Sequence, residues 1–183
     1  MVILKTANTI KKMREAGRLS ALALKVGGEA VKPGVTTAEI DKAIYDFIVS
    51  QGATPSFLNL YGFPASACIS VNDELIHGIP GNRVINEGDI VSIDVGACLD
   101  GYHGDNAATF VAGTASEEAQ KLLDVTKQSL YKGIEMAVIG NRVGDISNAV
   151  QTYCEERGYS VVREFVGHGI GRDVHEDPEV PNF

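Results

Sequence analysis

Two aspartates lie in a stretch of sequence whose apolar pattern predicts buried β-strands. In the segment SIDVGACLDGYHGD, residues 92–105, Asp94 stands in the first apolar run and Asp105 in the second. Burying an isolated carboxylate costs several kcal/mol, so such a group is normally protonated, paired with a cation or bound to a metal ion. The chemistry of this segment therefore depends on whether the two carboxylates meet.

The dipeptide DG at residues 100–101 is one that two-residue hairpin turns favour. With the turn there, Gly96 pairs with Asp105, and Asp94 pairs with Ala107. Side chains alternate along a strand, so the two aspartates share a face and are diagonal neighbours, roughly 7 Å apart at the backbone. Converging carboxylates repel unless a proton or a cation intervenes, and a carboxylate-bridged pair of metal ions is common in hydrolases. The hairpin alone favours a solvated edge or a turn capped by Asp105 over a metal site, because Asp is frequent near turns.

Three histidines lie in segments marked by glycine or proline. His168 lies in GHGIG, His175 in HEDP, and His77 in NDELIHGIP. Each alone is typical of a surface or hydrogen-bonded structural histidine. Together with an aspartate pair they favour a metal site, because carboxylates with one neutral imidazole suit divalent ions such as Mn, Fe or Co.

Helices and short strands follow one another in an order that positions these residues. Apolar periodicity predicts four helices, over about residues 6–31, 36–52, 114–138 and 144–157. The apolar runs SACISV, IVSIDVGACL, AATFVAG and SVVREFVG predict strands. Thr36 with Glu39, and Thr114 with Glu117, have the spacing of capping boxes that begin two of these helices.

A shift of 106 residues aligns part of the first half of the chain with the second half. Gly34 then falls on Gly140 and Gly52 on Gly158, with matching apolar positions between them. Chance similarity of two helices and internal duplication both explain the match. If duplication is the cause, the second unit has no counterpart of the aspartate hairpin, because the chain continues only to Phe183.

Composition and charge limit the classes of function. The chain has 183 residues, of which 44% are hydrophobic and 22% charged, as in ordinary globular proteins. The net charge of −8 and the scattered basic residues argue against a general nucleic-acid binder. Cys68, Cys98 and Cys154 lack CxxC spacing and predict reduced thiols. With no signal-peptide pattern and no run of about eighteen apolar residues, a cytoplasmic location without a membrane partner is expected.

Four motifs in this order resemble those of the type I methionine aminopeptidases. They are SACISVNDELIHGIP, GDIVSIDVG, GYHGDNAATF and FVGHGIGRDVHEDP, and the resemblance runs along the entire chain. It implies the pita-bread fold, an α/β fold of the α+β type in which two pseudo-symmetric halves of antiparallel sheet with covering helices enclose a dinuclear metal site. We therefore expect one catalytic domain over residues 1–183, with a first half at about 1–110 and an incomplete second half at about 111–183.

The resemblance also implies roles for the polar residues. Asp94 is similar to the ligand of one metal ion, and Asp105 to the carboxylate that bridges two ions. His168 resembles the single imidazole ligand. His77 and His175 resemble the two catalytic histidines that face the substrate, hold the scissile peptide and stabilise the developing oxyanion.

A pocket for the methionine side chain is implied in the same way. Phe63 and Cys68 match pocket-lining positions and Phe57 is expected to join them, although Cys68 by its own pattern fits a small core residue. The implied reaction is hydrolysis of the first peptide bond of nascent chains that begin with Met and a small second residue. Two divalent ions, drawn from Co, Mn, Fe and Zn, assist it. The net negative charge argues against a broad electrostatic interaction with ribosomal RNA and is compatible with a local contact with the ribosome.

The chain departs from the family pattern at its C-terminal end. The family's remaining ligands are two glutamates in the last third of the second half, one of which is the general acid/base, and this sequence ends at Phe183 before either. A C-terminally truncated enzyme is therefore expected, and hydrolysis by these residues alone stays open. The alternatives are a non-catalytic binding protein of the same fold or an inactive fragment. A proline-specific or creatine-type hydrolase is weaker, because the N-terminus lacks the extra domain of those relatives.

Overall fold

The computed structural model describes all residues, Met1–Phe183, and combines helices with antiparallel strands, as predicted. The helices are α1 Ala7–Ala30, α2 Thr37–Ser50, α3 Glu117–Met136 and α4 Val143–Glu155. The strands are β1 Thr54–Pro55, β2 Ala67–Val71, β3 Ile90–Leu99, β4 Tyr102–Val111, β5 Gly167–Gly169 and β6 Glu176–Val180. A short 3₁₀ turn covers Leu60–Gly62. None of the helices has the length and apolar character needed to cross a membrane.

The contacts divide the chain into two compact units. The larger unit contains Leu4–Ala115 and Ile170–Val174. The smaller unit contains Met1–Ile3, Ser116–Gly169 and His175–Phe183. The larger unit therefore holds α1, α2 and the first four strands, and the smaller unit holds α3, α4 and the β5–β6 pair.

In the larger unit, β3 is the central strand of an antiparallel sheet. It pairs with β4 along its whole length, with β2 over residues 91–95 and with β1 over residues 97–98. The predicted hairpin is confirmed in its register, since Gly96 pairs with Asp105 and Asp94 with Ala107. The local turn dipeptide and the alternation of side chains are sufficient to set this register.

Helices α1 and α2 pack on one face of this sheet, around isoleucines and valines that are fully buried. Small residues on α1 allow the helix to approach strand β4 closely. A Cβ added at Gly104 of β4 would lie 2.4 Å from the backbone of Ala16, so that strand and helix touch through their main chains. Thr36 begins α2 with the predicted capping box, in which Glu39 accepts a hydrogen bond from the Thr36 backbone N–H at 2.8 Å.

In the smaller unit, α3 packs against α4, and α4 is joined to the end of β6 by a hydrogen bond from the Ser147 hydroxyl to the Pro181 carbonyl at 2.6 Å. The start of α4 lies 106 residues after the start of α2, the offset of the sequence match. A common origin of the two halves stays a prediction.

Two predictions for this part of the chain were wrong. Ser116, not Thr114, caps α3, and its hydroxyl accepts from the Ala119 backbone N–H at 3.1 Å. The Thr114 backbone N–H instead donates to Glu87 at 2.8 Å, a contact with a distant segment that local spacing does not reveal. The run SVVREFVG does not form the predicted strand, and β5 begins only at Gly167.

Candidate metal and substrate site

The two predicted aspartates project from one face of the β3–β4 hairpin. Asp94 lies opposite Ala107 and Asp105 opposite Gly96, and the two carboxyl groups are hydrogen-bonded to each other. The opposite face of β4, which includes Gly104, contacts α1. Because neighbouring side chains on a strand point to opposite faces, the carboxyl groups point away from α1.

Electrostatics make this carboxyl pair a site for a proton or a cation. Burial, the negative charge of Asp105 and the hydrogen bond between the two groups together raise the pKa of Asp94 to about 8, against an opposing hydrogen bond from the backbone N–H of Val95. No Lys or Arg side chain forms a salt bridge with Asp94. Carboxylate oxygens in such a position fit a divalent cation, which would take the place of the shared proton.

The β5–β6 pair positions the two histidines of the smaller unit. Their rings meet edge to face with centroids 4.4 Å apart, His168 on β5 and His175 just before β6. His168 Nδ1 lies 2.8 Å from the carbonyl oxygen of Gly169. Because a carbonyl only accepts, Nδ1 carries the hydrogen and the neutral ring has its lone pair on Nε2, the form that binds a metal ion.

The predicted pocket residues form one apolar cluster in the larger unit. Phe57 and Cys68 are buried together with Val174, and Phe63 and Leu60 pack against them. Leu60 and Val174 were missed by the sequence analysis. Leu60 could have been found from the sequence, because Phe57, Leu60 and Phe63 are each three residues apart. Val174 comes from a distant segment, and the only sequence signal for it was its position next to His175.

This apolar cluster adjoins the carboxyl pair. Cys68 is the cross-strand partner of Asp94, and a Cβ added at Gly96 would lie 2.8 Å from the Phe57 ring. Burial raises the pKa of the Cys68 thiol to about 12, with smaller contributions from the nearby carboxylates, so the thiol is neutral and presents an apolar surface. An apolar side chain bound in this cluster would therefore lie beside the carboxylates.

A half-buried carboxylate on α2, Asp41, fixes the start of the strand that carries Cys68. Asp41 Oδ1 accepts hydrogen bonds from the backbone N–H groups of Ser66 and Ala67, both at 2.9 Å. Burial raises the pKa of Asp41, and the two backbone hydrogen bonds oppose this shift. Asp41 therefore has a structural explanation and is not a candidate ligand.

His77 lies in the connection from β2 to β3 and is exposed, with φ +57°. The next residue ties this connection to β2, since the Ile69 backbone N–H donates to the Gly78 carbonyl at 2.9 Å and the Gly78 N–H donates to the Ser70 hydroxyl at 3.1 Å. A Cβ at Gly78 would lie 2.3 Å from the Ile69 carbonyl oxygen, so only glycine fits there. These contacts hold the residue next to His77 against the middle of β2.

The predicted residues therefore fall into a carboxyl pair, an apolar cluster, a histidine pair and the exposed His77. No group of three or more His, Cys, Asp or Glu side chains that could hold a metal ion is assembled in the structure. The complete ligand set stays a prediction. One further polar residue, His103, was not assigned to the site and lies on the same face as Asp105.

Comparison with known proteins identifies the family. The model of metallopeptidase family M24 matches residues 11–183. Methionine aminopeptidase of Clostridium perfringens is 58% identical over 183 residues, which are 100% of this chain and 74% of the relative. Methionine aminopeptidase 1 of Bacillus subtilis is 52% identical with the same coverage. The crystal structure of methionine aminopeptidase from Rickettsia prowazekii superposes with a TM-score of 0.98 at 42% identity, covering 100% of this chain and 74% of that one. The chain belongs to metallopeptidase family M24 and, within it, to the methionine aminopeptidases.

Proposed function

We propose that this chain removes the N-terminal methionine from newly made proteins by metal-assisted hydrolysis of the first peptide bond. The observation that carries the proposal is the contact between a half-buried carboxyl pair and a buried apolar cluster. Cys68 pairs with Asp94 across two strands, and Phe57 fills the space above Gly96. A peptide whose first side chain enters the cluster would have its first carbonyl group beside the ions that the carboxylates would hold.

Asp94, Asp105 and His168 are the proposed ligands of two divalent ions, drawn from Co, Mn, Fe and Zn. When bound, such ions acidify a water molecule and polarise the carbonyl group of the substrate. The residues of the chain prepare this site. Asp94 and Asp105 offer half-buried oxygens that are hydrogen-bonded to each other, and His168 is held in the tautomer with its lone pair on Nε2.

Methionine specificity would come from the apolar cluster. Phe57, Phe63 and Cys68, with Leu60 and Val174, enclose a surface without charge, which suits an unbranched thioether side chain. His77 and His175 are the proposed catalytic histidines. Each would donate a hydrogen bond to the substrate, fixing the scissile peptide and stabilising the negative charge that develops on its carbonyl oxygen.

The substrates we propose are nascent chains that begin with Met and a small second residue. This assigns the activity to the cytoplasm, near the ribosome, where such N-termini first appear. A non-catalytic binding role has less support, because the relatives at 52% and 58% identity are methionine aminopeptidases and every proposed ligand position within the chain carries a ligand-type residue.

The test is release of methionine from the peptide Met-Ala-Ser in the presence of Mn or Co. The proposal predicts release by the wild-type chain and none by Asp94→Asn, a substitution that keeps the size of the side chain and removes its charge. Folding of both proteins is checked by circular dichroism. Folded wild-type protein that binds Mn and releases no methionine would contradict the proposal.

A further inference from the structure

His103 joins the strand that carries Asp105 to the wall of the apolar cluster. It lies two residues before Asp105 on β4, so both side chains project from the same face. His103 Nδ1 lies 2.8 Å from the hydroxyl oxygen of Ser56. Ser56 is buried and directly precedes Phe57, whose ring forms part of the cluster.

The bond between His103 and Ser56 spans the central strand of the sheet. The Ser56 backbone N–H donates to the Gly96 carbonyl at 2.9 Å on one side of β3, whereas His103 belongs to β4 on the other side. A Cβ at Gly96 would lie 2.7 Å from Ser56 Cβ and 2.8 Å from Phe57 Cε1. The missing side chain at Gly96 therefore lets the Ser56 hydroxyl reach the imidazole and lets the Phe57 ring lie beside the carboxyl face.

His103 also holds the segment that contributes Val174 to the cluster. Its backbone N–H donates to the Gly171 carbonyl at 2.8 Å, and its ring is hydrogen-bonded to the backbone of Arg172. Val174 follows two residues later and packs in the same buried cluster as Phe57. Two walls of the cluster, which come from distant parts of the sequence, are thus fixed by one histidine.

We propose that His103 is the positioning residue of the methionine pocket. It acts through Ser56 on Phe57 and through residues 171–172 on Val174, and so holds both walls at a set distance from Asp105. It does not touch the substrate. The identity of the bound side chain as methionine rests on the proposed function, whereas the positioning itself concerns only contacts within the chain.

The reactivity of Cys68 measures positioning without any need for activity. Cys68 is buried in the same cluster, so alkylation of its thiol requires the walls to open. We expect His103→Leu to speed alkylation of Cys68 about tenfold, the change that a loss of about 1.4 kcal/mol produces in an opening equilibrium. Cys154, buried in the smaller unit, is the internal reference and should react at its wild-type rate. An unchanged Cys68 rate, or equal acceleration of Cys154, would overturn the proposal.

Two further variants separate positioning from a general loss of packing. His103→Asn keeps a polar atom near the position of Nδ1 and should restore most of the protection of Cys68. Ser56→Ala removes the same hydrogen bond from its other end, so the double variant Ser56→Ala/His103→Leu should react no faster than His103→Leu. Additive effects of the two substitutions, or failure of Asn to restore protection, would contradict the assignment.

Kinetics then connect positioning to specificity. With Met-Ala-Ser, His103→Leu should raise KM about tenfold and leave kcat within about threefold, because a loosened pocket weakens binding of the side chain. The loss should be smaller for the matching norvaline peptide, whose shorter side chain makes fewer contacts with the walls. A fall in kcat at unchanged KM would overturn the positioning role. If the wild-type chain releases no methionine, the proposed function fails, and the Cys68 rates still decide whether His103 positions the pocket.

Discussion

Asp94 and Asp105 lie on adjacent antiparallel strands, two register positions apart, and share a hydrogen bond in a half-buried site without a salt-bridging cation on Asp94. The two-residue turn at Asp100 and Gly101 thus brings together two carboxyl groups that repel each other when both are ionised. Such an arrangement costs free energy in the absence of a cation, and that cost can be measured.

The first prediction concerns pH. Burial and the charge of Asp105 raise the pKa of Asp94 to about 8, so the folded protein keeps a proton that the unfolded chain releases. Between about pH 4 and pH 8 the free energy of unfolding of the metal-free protein should therefore fall as pH rises, by at most about 1.4 kcal/mol per pH unit from this group. Urea denaturation in the presence of EDTA measures this slope.

Asp94→Asn is the control for this prediction, since it removes the titrating group. The variant should have a flatter pH profile and should be more stable than the wild type at pH 8. Added Mn should restore the stability of the wild type at pH 8 and leave the variant unchanged. If the free energy of unfolding depends on pH in the same way for the two proteins, Asp94 ionises in the folded protein at no cost in stability, and the prediction is wrong.

The second prediction concerns the main-chain contact between α1 and β4. A methyl group at Gly104 would lie 2.4 Å from the backbone of Ala16, so Gly104→Ala should destabilise the protein by about 1–3 kcal/mol. Gly17→Ala is the matched control, because its Cβ meets nothing within 4 Å and a helix interior favours alanine over glycine by about 0.5–1 kcal/mol. Thermal unfolding should therefore move in opposite directions for the two variants. Equal shifts would mean that the helix does not rest on the strand at Gly104.

The third prediction concerns the apolar character of the pocket. Val174→Thr keeps the shape of the side chain and adds a buried hydroxyl group, which disfavours an apolar ligand. KM for Met-Ala-Ser should rise roughly tenfold with little change in kcat. Val49→Thr, at a position that is 46% exposed on α2, is the control and should leave both constants unchanged. A normal KM for Val174→Thr would place the methionine side chain elsewhere.

The hairpin register was predictable from sequence because it depends on local features. The turn at Asp100 and Gly101 and the alternation of side chains determine which residues pair, and no distant contact competes. The start of α3 was not predictable in this way. Thr114 has the spacing of a cap, but its N–H is bound by Glu87, and Ser116 takes the role.

The face of α1 shows a similar limit. The large apolar side chain of Ile10 is exposed, whereas the small residues Ala16, Ala23 and Gly27 are buried. A hydrophobicity pattern gives weight to large side chains, and here the close approach of helix and sheet selects small ones. The strand predicted at residues 160–167 failed because a strand needs a partner, and pairing is a non-local property.

For the candidate site, the motifs predicted the ligand-type residues, and the structure added what lies between them. Leu60, Val174 and His103 come from a turn, a distant segment and the hairpin, and only their contacts show that they belong together. Side-chain chemistry can be inferred from residue type and spacing. The supporting contacts depend on tertiary packing, which a single sequence does not display.

The most direct test of the central claim, that the face of Asp94 and Asp105 is a metal site, is a calorimetric titration of the metal-free protein with Mn at pH 7. We predict saturable binding by the wild type and its loss in Asp94→Asn and in Asp105→Asn. Asp100→Asn, in the exposed turn of the same hairpin, should bind as the wild type does. Binding that survives in both site variants, or is absent from folded wild-type protein, would contradict the account.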